Sequence, residues 1–468
     1  MTVFDSAKSA ILVSLILIQA ACSPVVNVMQ IKPLKSESLT PSPSPSPSPS
    51  PGTVARIYVK QVTMTDTSAP GGIRLLHADE HSPYFQSVAN ATSINSMSGS
   101  FNSNTQLLSG DGNYLLFSNG DPRIFDVLTS GNAVNLYRKK LFDPNEEAVL
   151  VNKDSSGNRF SISLWTNMNS ISDDGRFIIL NSDTALTASQ TTNGFTGTNM
   201  FRKDLLTGTV LHVSDDTDTT NKHVIMPNST QLSSDGRHVI YNNDNLIYRK
   251  DTSSGLPAEV VSKAANGTTN AYTAIPGSGI ISMSGDGSKF LFTVANTSLV
   301  SPTGAGSGGL VLRDQNSNTN TIVAENISLS KTIISKNGSK VFIESYTALG
   351  GGVVSGAPVQ VYSWSSNHGI ELVTVNPTGG YFNQHSNIHS VSSDGRFVCL
   401  STNASNAGIG NVVPSGGWMV IVKDTLTGEA IVADTDSTGS LSNGTFRSTC
   451  SLSADGKYII FSSTDKNN

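Results

Sequence analysis

Two pairs of histidines stand four residues apart, a spacing that brings two imidazoles to the same face of a strand. His77 and His81 belong to the stretch HADEHSPYF, and His385 and His389 belong to FNQHSNIHS. Convergent imidazoles are a common way to bind zinc. Histidines in polar loops are more often simply solvated, so we predict no metal site at either pair.

Two acidic stretches offer the oxygen ligands that Ca²⁺ prefers. Residues 214–221 read SDDTDTTN and residues 433–439 read ADTDSTG. Neither stretch matches the ligand spacing of a dedicated calcium loop. They recur at corresponding positions of a repeated pattern, as a plain structural loop also does, so no metal or cofactor is predicted.

The stretch GAGSGG (residues 304–309) satisfies the GxGxxG pattern of nucleotide-binding loops. That pattern needs a helix after it, and here strand-like residues follow. No GxSxG nucleophile motif occurs in the chain. We therefore predict no catalytic residues, and a protein that is not an enzyme.

A short phrase recurs along the chain at intervals of about 57 residues, a period typical of repeat architectures. Each copy carries Ser-x-Asp-Gly, or Asn-Gly in the fifth copy, followed by a run of apolar residues. The seven copies are LSGDGNYLLFS from Leu108, ISDDGRFIILN from Ile171, LSSDGRHVIYN from Leu232, MSGDGSKFLFT from Met283, ISKNGSKVFIE from Ile334, VSSDGRFVCLS from Val391 and LSADGKYIIFS from Leu452.

The residues of this phrase predict a hairpin. Asp-Gly and Asn-Gly are strong turn signals because glycine accepts a positive φ without steric cost. The serine two residues before the Asp-Gly or Asn-Gly pair can satisfy backbone groups of the turn. Consecutive apolar residues after the turn indicate a strand that is buried on both faces.

A second strand–turn–strand phrase follows each of the first six copies, for example NMFRKDLLTGTVLHVS from Asn199 and MVIVKDTLTGEAIVAD from Met419. Each unit therefore has four antiparallel strands, which is one blade of a β-propeller. We predict an all-β fold with seven such blades.

The seventh copy has no second hairpin after it. The stretches IYVKQV (residues 57–62) and IRLLHA (residues 73–78) match the third and fourth strands of the other units. We expect these N-terminal strands to complete the last blade and so remove the open sheet edges.

The repeated pattern, with its [YF]-x-[RK]-Asp strand after the hairpin, resembles the WD40-like repeats of the TolB type. The resemblance extends over about residues 56–463 and implies a TolB-like scaffold. TolB proteins carry an α/β domain ahead of the propeller, whereas this chain has a different segment there.

That segment reads as an export signal. Lys8 precedes the apolar stretch AILVSLILI (residues 10–18), which is too short to span a bilayer, and small residues follow. The tetrapeptide QAAC resembles the bacterial lipobox, with Gln19 where leucine is usual. This implies that Cys22 is lipidated. Ordinary signal cleavage and an uncleaved anchor are the alternatives.

Residues 40–52 read TPSPSPSPSPSPG, a tract that favours extended polyproline II. At about 3.1 Å per residue it would span roughly 30–40 Å. We divide the chain into a signal peptide (residues 1–21), an anchor and linker (residues 22–52) and the propeller (residues 53–468). Besides Cys22, two cysteines remain; we expect Cys399 and Cys450 to be buried free thiols, with a disulfide as the alternative.

Charged residues make up 14% of the chain and the net charge is −5, which argues against a nucleic-acid partner. We expect a monomer that is lipid-anchored in the bacterial cell envelope. Ser23 favours sorting to the outer membrane, on its periplasmic or surface face. Its loops would bind a protein or an envelope polymer. The alternative is a propeller enzyme, a metal-dependent lyase or hydrolase acting at the channel mouth.

Overall fold

The strands lie where the repeated phrases predict them. A computed structural model describes residues 56–64, 73–75, 106–119, 135–141, 148–154, 157–162, 170–182, 186, 199–214, 230–243, 246–271, 282–408, 417–434 and 449–463. Cys22, the export signal, the Ser-Pro tract, and His77 and His81 lie outside the described residues. No helix in the described ranges is long and apolar enough to cross a bilayer.

The described strands form seven four-stranded antiparallel sheets. The first two strands are β1 (Arg56–Met64) and β2 (Ile73–Leu75). Blade 1 contains β3 (Gln106–Leu108), β4 (Tyr114–Asn119), β5 (Asn135–Lys140) and β6 (Val149–Leu150); blade 2 contains β7 (Ser170–Ile171), β8 (Phe177–Ser182), β9 (Asn199–Asp204) and β10 (Val210–His212); blade 3 contains β11 (Thr230–Leu232), β12 (His238–Asn243), β13 (Leu246–Asp251) and β14 (Glu259–Val260).

The remaining blades continue the same order. Blade 4 contains β15 (Ser282–Met283), β16 (Lys289–Val294), β17 (Gly309–Asp314) and β18 (Thr319–Glu325); blade 5 contains β19 (Leu329–Ile334), β20 (Val341–Ser345), β21 (Gln360–Ser365) and β22 (Gly369–Leu372); blade 6 contains β23 (Ser386–Val391), β24 (Phe397–Thr402), β25 (Met419–Asp424) and β26 (Ala430–Val432); blade 7 contains β27 (Cys450–Leu452) and β28 (Tyr458–Ser463).

The last blade is completed by the N-terminal strands, as the sequence predicts. Its strand order is β2-β1-β28-β27. Strand β1 pairs with β28 over six residues in antiparallel register, from Arg56 opposite Ser463 to Gln61 opposite Tyr458. The fold is therefore a seven-bladed β-propeller whose ring is closed by pairing between the two ends of the propeller segment.

The second strand of each blade is buried on both faces because it lies between two neighbouring blades. In blade 1, Leu116 packs with Ile178 of blade 2, whereas Leu115 and Phe117 pack with Ile460 of blade 7. All of these side chains are almost fully buried. This packing explains why the strand is apolar at consecutive positions instead of alternating.

The Ser-x-Asp-Gly phrase forms the turn between the first and second strands. In blade 1 the Ser109 hydroxyl donates to the Asp111 carboxylate (2.5 Å) and accepts from the Tyr114 N–H (2.9 Å). The Asp111 carboxylate also accepts the Asn113 N–H (2.9 Å). The equivalent serine is buried in every blade: Ser109, Ser172, Ser233, Ser284, Ser335, Ser392 and Ser453.

The seven turns are joined to each other by backbone hydrogen bonds, which we call the turn ring. The residue between the serine and the aspartate, or the residue after it, donates its N–H to the same turn of the neighbouring blade. The seven bonds are Asp111 to Asp173, Asp173 to Ser234, Ser234 to Gly285, Gly285 to Lys336, Asn337 to Ser393, Ser393 to Ala454 and Ala454 to Gly110, with N···O distances of 2.7–3.0 Å.

The glycine of each turn packs against the neighbouring blade. Gly236 has φ +74, and a Cβ built on it would overlap the ring of Phe177 in blade 2. The turn glycine of every blade makes this contact with the preceding blade. Its partner there is the residue two positions after that blade's own turn glycine. These glycines are therefore required for both backbone conformation and packing.

The prediction of free thiols is wrong, because Cys399 and Cys450 form a disulfide. Cys399 lies in β24 and Cys450 in β27, so the bond joins blade 6 to the blade that closes the ring. The Cα atoms are 6.4 Å apart and the two residues are separated by 51 positions. Closing a loop of that length removes about 4 kcal/mol of unfolded-state entropy in the chain-entropy model.

Two glycines with the same backbone conformation separate the effect of packing from that of φ. Gly208 has φ +75 and no atom within 4 Å of a built Cβ, unlike Gly236. We expect Gly208→Ala to lower the free energy of unfolding by about 1–2 kcal/mol, the usual strain of a left-handed residue. Gly236→Ala should lower it by a further ~1–3 kcal/mol because it also overpacks the blade interface. Urea or thermal unfolding of both variants measures the difference, and equal losses would contradict the packing role of the turn glycine.

Candidate functional site

The antiparallel topology gives the propeller two different faces. The turns between first and second strands and between third and fourth strands lie on one face, which we call the turn face. The loops between second and third strands, and the connections between blades, lie on the opposite face, which we call the loop face. Among the described connections, the long irregular ones, such as 295–308 and 346–359, lie on the loop face, and binding residues are commonly found in such loops.

The turn-face end of the propeller axis is crossed by an ion pair. Lys336 in the turn of blade 5 pairs with Asp173 in the turn of blade 2, on another side of the turn ring. A Cβ on Gly110 would overlap the Asp173 carboxylate and approach the Lys336 ammonium, so a larger residue there would interfere with this pair. This ion pair joins the turns of blades 2 and 5 at the turn-face end of the channel.

Small polar side chains of the innermost strands join neighbouring blades. The Ser170 hydroxyl accepts the Leu232 N–H (3.1 Å), and the Gln231 side chain accepts the Met283 N–H (2.6 Å). The same bond recurs from Ile334 to Ser282, from Leu452 to Ser390 and from Leu108 to Ser451, with distances of 2.9–3.3 Å. This role of polar side chains between blades was not predicted from the sequence.

A cluster of ionisable and hydroxyl side chains lies between blades 5 and 6, on the first and second strands of both blades. Two β-bulges produce it, because the pairing register shifts around Ser330 in β19 and around His389 in β23. Bulges redirect side chains and are frequent near functional sites. The channel cluster, as we call it, contains Ser330, Lys331, Glu344, His389 and Ser401.

Each member of the channel cluster has a hydrogen-bond partner. Glu344 accepts from the Ser330 hydroxyl and from the Ile388 N–H. The Lys331 ammonium donates to the His389 carbonyl oxygen (3.3 Å), and the His389 Nε2 atom bonds to the Ser401 hydroxyl (2.8 Å). The arrangement links blade 5 to blade 6 through a carboxylate and an ammonium group.

The surroundings of the channel cluster lower the pKa values of its two basic groups. Burial lowers the pKa of Lys331, although Glu344 opposes this shift. Burial also lowers the pKa of His389 to about 3, and the nearby positive charge of Lys331 acts in the same direction. His389 is therefore neutral at physiological pH, and it bonds to Ser401 as a neutral imidazole.

His385 and His389 are not brought together as a pair. The bulge at His389 interrupts the two-residue alternation on which their predicted common face depends. His385 is exposed and its Nδ1 atom accepts the Val359 N–H (3.2 Å), whereas His389 bonds to Ser401. In the described ranges no three His, Cys, Asp or Glu residues are grouped closely enough to hold a metal ion.

The other predicted candidates have structural partners where the structure describes them. Ser214 and Asp434 follow outermost strands and accept the N–H groups of Met200 (3.1 Å) and Val420 (3.0 Å). The rest of both acidic stretches lies outside the described residues. The stretch GAGSGG connects β16 to β17, as predicted, and the N–H of Ala305 donates to Glu325, a carboxylate that would repel a phosphate.

The loops of blades 4 and 5 on the loop face carry exposed apolar residues that were not predicted from the sequence. The loops 295–308 and 346–359 contain no charged residue. Leu299, Tyr346 and Val354 lie in them, and each is at least 58% exposed. We call these three residues the loop-face patch. Exposed apolar groups on a rigid scaffold are typical of contact surfaces.

Comparisons with known proteins identify similar folds. No family model matches the chain, and no curated protein matches it. TolB from Acinetobacter baumannii is 14% identical, with 77% of this chain and 63% of that protein covered and a TM-score of 0.38. A putative TolB from Agrobacterium tumefaciens is 14% identical, with 68% and 93% covered and a TM-score of 0.36. An oligogalacturonate lyase in complex with manganese is 13% identical, with 62% and 69% covered and a TM-score of 0.40.

TolB proteins, which the repeats resemble in sequence, are thus among the structures to which this chain is similar. The chain spans less than two thirds of the length of the Acinetobacter baumannii protein. At these identities the similarity concerns the fold alone.

The pKa of His389 predicts how stability depends on pH. Its folded-state pKa of about 3 is below the ordinary value of 6.5, so between these values the unfolded chain binds a proton that the folded chain does not. His389 therefore lowers stability as the pH falls through this window. We expect His389→Gln to lose less thermal stability than the wild type between about pH 7 and about pH 4.

His385→Gln is the matched control, because the His385 ring is exposed on the same segment. It should show the pH dependence of the wild type. If the melting temperatures of His389→Gln and of the wild type fall by the same amount over this range, His389 is not held neutral by burial.

Proposed function

We propose that this chain is a lipid-anchored binding module of the bacterial cell envelope. In this proposal the propeller binds a protein or an envelope polymer through its loop face and catalyses no reaction. The difference between the two faces carries the proposal. On the turn face, the turns between first and second strands are short and bonded to one another, whereas the described part of the loop face carries the loops 295–308 and 346–359 with the loop-face patch.

The disulfide supports an exported location. Cys399 and Cys450 are both buried and joined. Structural disulfides form and persist in oxidising compartments such as the bacterial periplasm, and they are rare in the cytosol. This agrees with the export signal and the lipobox-like QAAC at Cys22.

The loops of blades 4 and 5 support a contact surface with defined geometry. The Asn296 side chain accepts the Ser298 N–H (2.9 Å), and Glu325 holds Thr297 and Ala305. In blade 5, the Ser345 hydroxyl accepts the Thr347 N–H (2.9 Å). Loops held by such bonds lose less conformational entropy on binding than free loops.

The first test concerns the anchor. We expect Cys22→Ala to lose lipid attachment, because only cysteine carries the thiol that is acylated. Metabolic labelling with a radioactive fatty acid should label the wild type and leave the variant unlabelled. Equal labelling, or an unlabelled wild type, would contradict lipidation at Cys22.

The second test concerns the loop-face patch. We expect the triple variant Leu299→Ser, Tyr346→Ser, Val354→Ser to reduce crosslinking of envelope components at least about tenfold, because it removes the apolar contact area. The measurement is quantitative capture from crosslinked envelope fractions by the full chain.

Three leucines of the turn face provide a matched control. Leu206, Leu256 and Leu426 are at least 65% exposed and lie in turns between third and fourth strands. Their triple serine variant should capture the same components as the wild type. Equal capture by both triple variants, or no component enriched over an unrelated anchored protein, would contradict binding through the loop face.

A further inference from the structure

A cleft opens at the outer rim of the propeller, between blades 5 and 6. Its volume is about 930 Å³, within the range of small-molecule and peptide sites. Glu371 and Leu372 line it from the outermost strand of blade 5, and Glu429 and Ile431 line it from the outer hairpin of blade 6. The cleft lies apart from the loop-face patch and the channel cluster.

The cleft carries two acidic side chains without partners. The carboxylates of Glu371 and Glu429 are exposed and make no hydrogen bond or ion pair with any described residue. Lys423 is the one cation among the residues that line the cleft. Its ammonium donates to the Val375 carbonyl oxygen (2.7 Å) and lies 5.5 Å from the ring centroid of Phe382, so it is held by the wall of the cleft.

Blade 3 shows how the same position is neutralised elsewhere in the chain. Glu259 lies opposite Arg249 in β13 and β14, as Glu371 lies opposite Ser363 in β21 and β22. In blade 3 the guanidinium of Arg249 is 3.6 Å from the Glu259 carboxylate. Blade 5 therefore has the glutamate without the cation that accompanies it in blade 3.

Ser363 takes the position of that arginine and lines the cleft. Its side chain is only 6% exposed, and its hydroxyl bonds to no described residue. The hydroxyl is open to the cleft and can accept a hydrogen bond from a group bound there. It marks the place at which a cationic donor would enter.

We propose that this cleft binds a lysine or arginine side chain of a short basic segment of a protein partner. The cationic group would pair with Glu371 and Glu429 and donate to Ser363, replacing the arginine that blade 3 supplies from its own chain. The alkyl stem of a lysine or arginine packs on apolar surface, and Leu372 and Ile431 provide it.

Fluorescence anisotropy of a short labelled peptide tests this proposal on the full chain. One peptide alternates valine with lysine, and the other has glutamate in place of each lysine. We expect the lysine peptide to bind and the glutamate peptide not to bind. Added salt should weaken binding of the lysine peptide, because its ion pairs with the exposed carboxylates are screened.

Three variants locate the binding. The double variant Glu371→Gln, Glu429→Gln keeps the shape of the cleft. It should lower the affinity for the lysine peptide at least about tenfold, since charge-assisted bonds are lost. Ser363→Arg should weaken it similarly by supplying an internal cation, as in blade 3. Glu259→Gln removes one carboxylate from the equivalent position of blade 3 and should leave the affinity unchanged.

Each contrary result overturns the proposal. Binding of both peptides, no binding of the lysine peptide, or unchanged affinity in the folded double variant would exclude the cleft as a site for basic side chains. Equal weakening by Glu259→Gln would show attraction to the acidic chain as a whole. If free spermidine binds as tightly as the lysine peptide, the ligand is a small amine instead of a protein segment. The loop-face triple variant should bind the lysine peptide normally, so this test and that of the proposed function fail independently.

Discussion

Seven backbone hydrogen bonds, one between each pair of neighbouring Ser-x-Asp-Gly turns, fix the position of each blade relative to the next. The bonds form a closed ring only if every turn has the same geometry. In each blade, the buried serine hydroxyl and the Asp or Asn side chain fix that geometry from inside the turn, as Ser109 and Asp111 do in blade 1. The repeated phrase in the sequence is therefore the signature of a constraint that acts on the whole ring.

The packing of the rest of each blade depends on this relative position. The turn glycine can approach the preceding blade because it has no Cβ, and the apolar second strands then interlock on both faces. Serines and a glutamine of the innermost strands add a second set of bonds between blades. Closure is completed by β1 on β28 and by the Cys399–Cys450 disulfide, which joins the closing blade to blade 6.

Departures from the repeat are the places where the structure suggests function. The bulges at Ser330 and His389 produce the channel cluster, and Ser363 replaces the arginine that neutralises the equivalent glutamate in blade 3. The fold tolerates such departures because neighbouring strands and blades still satisfy the backbone. A histidine that the repeat predicts on one face of a strand is then redirected by a single extra residue.

The sequence by itself determined the seven blades, the four-stranded units and the closure by the N-terminal strands, because turn chemistry and apolar runs are local signals that recur in every blade. Only the tertiary structure decided which residues meet across blades. Lys336 pairs with Asp173 across 163 positions, and Cys399 meets Cys450 across 51. The bulge that separates His385 from His389, and the cleft beside Ser363, likewise depend on strand register and blade packing. No local pattern encodes such contacts, since they exist only once the ring has closed.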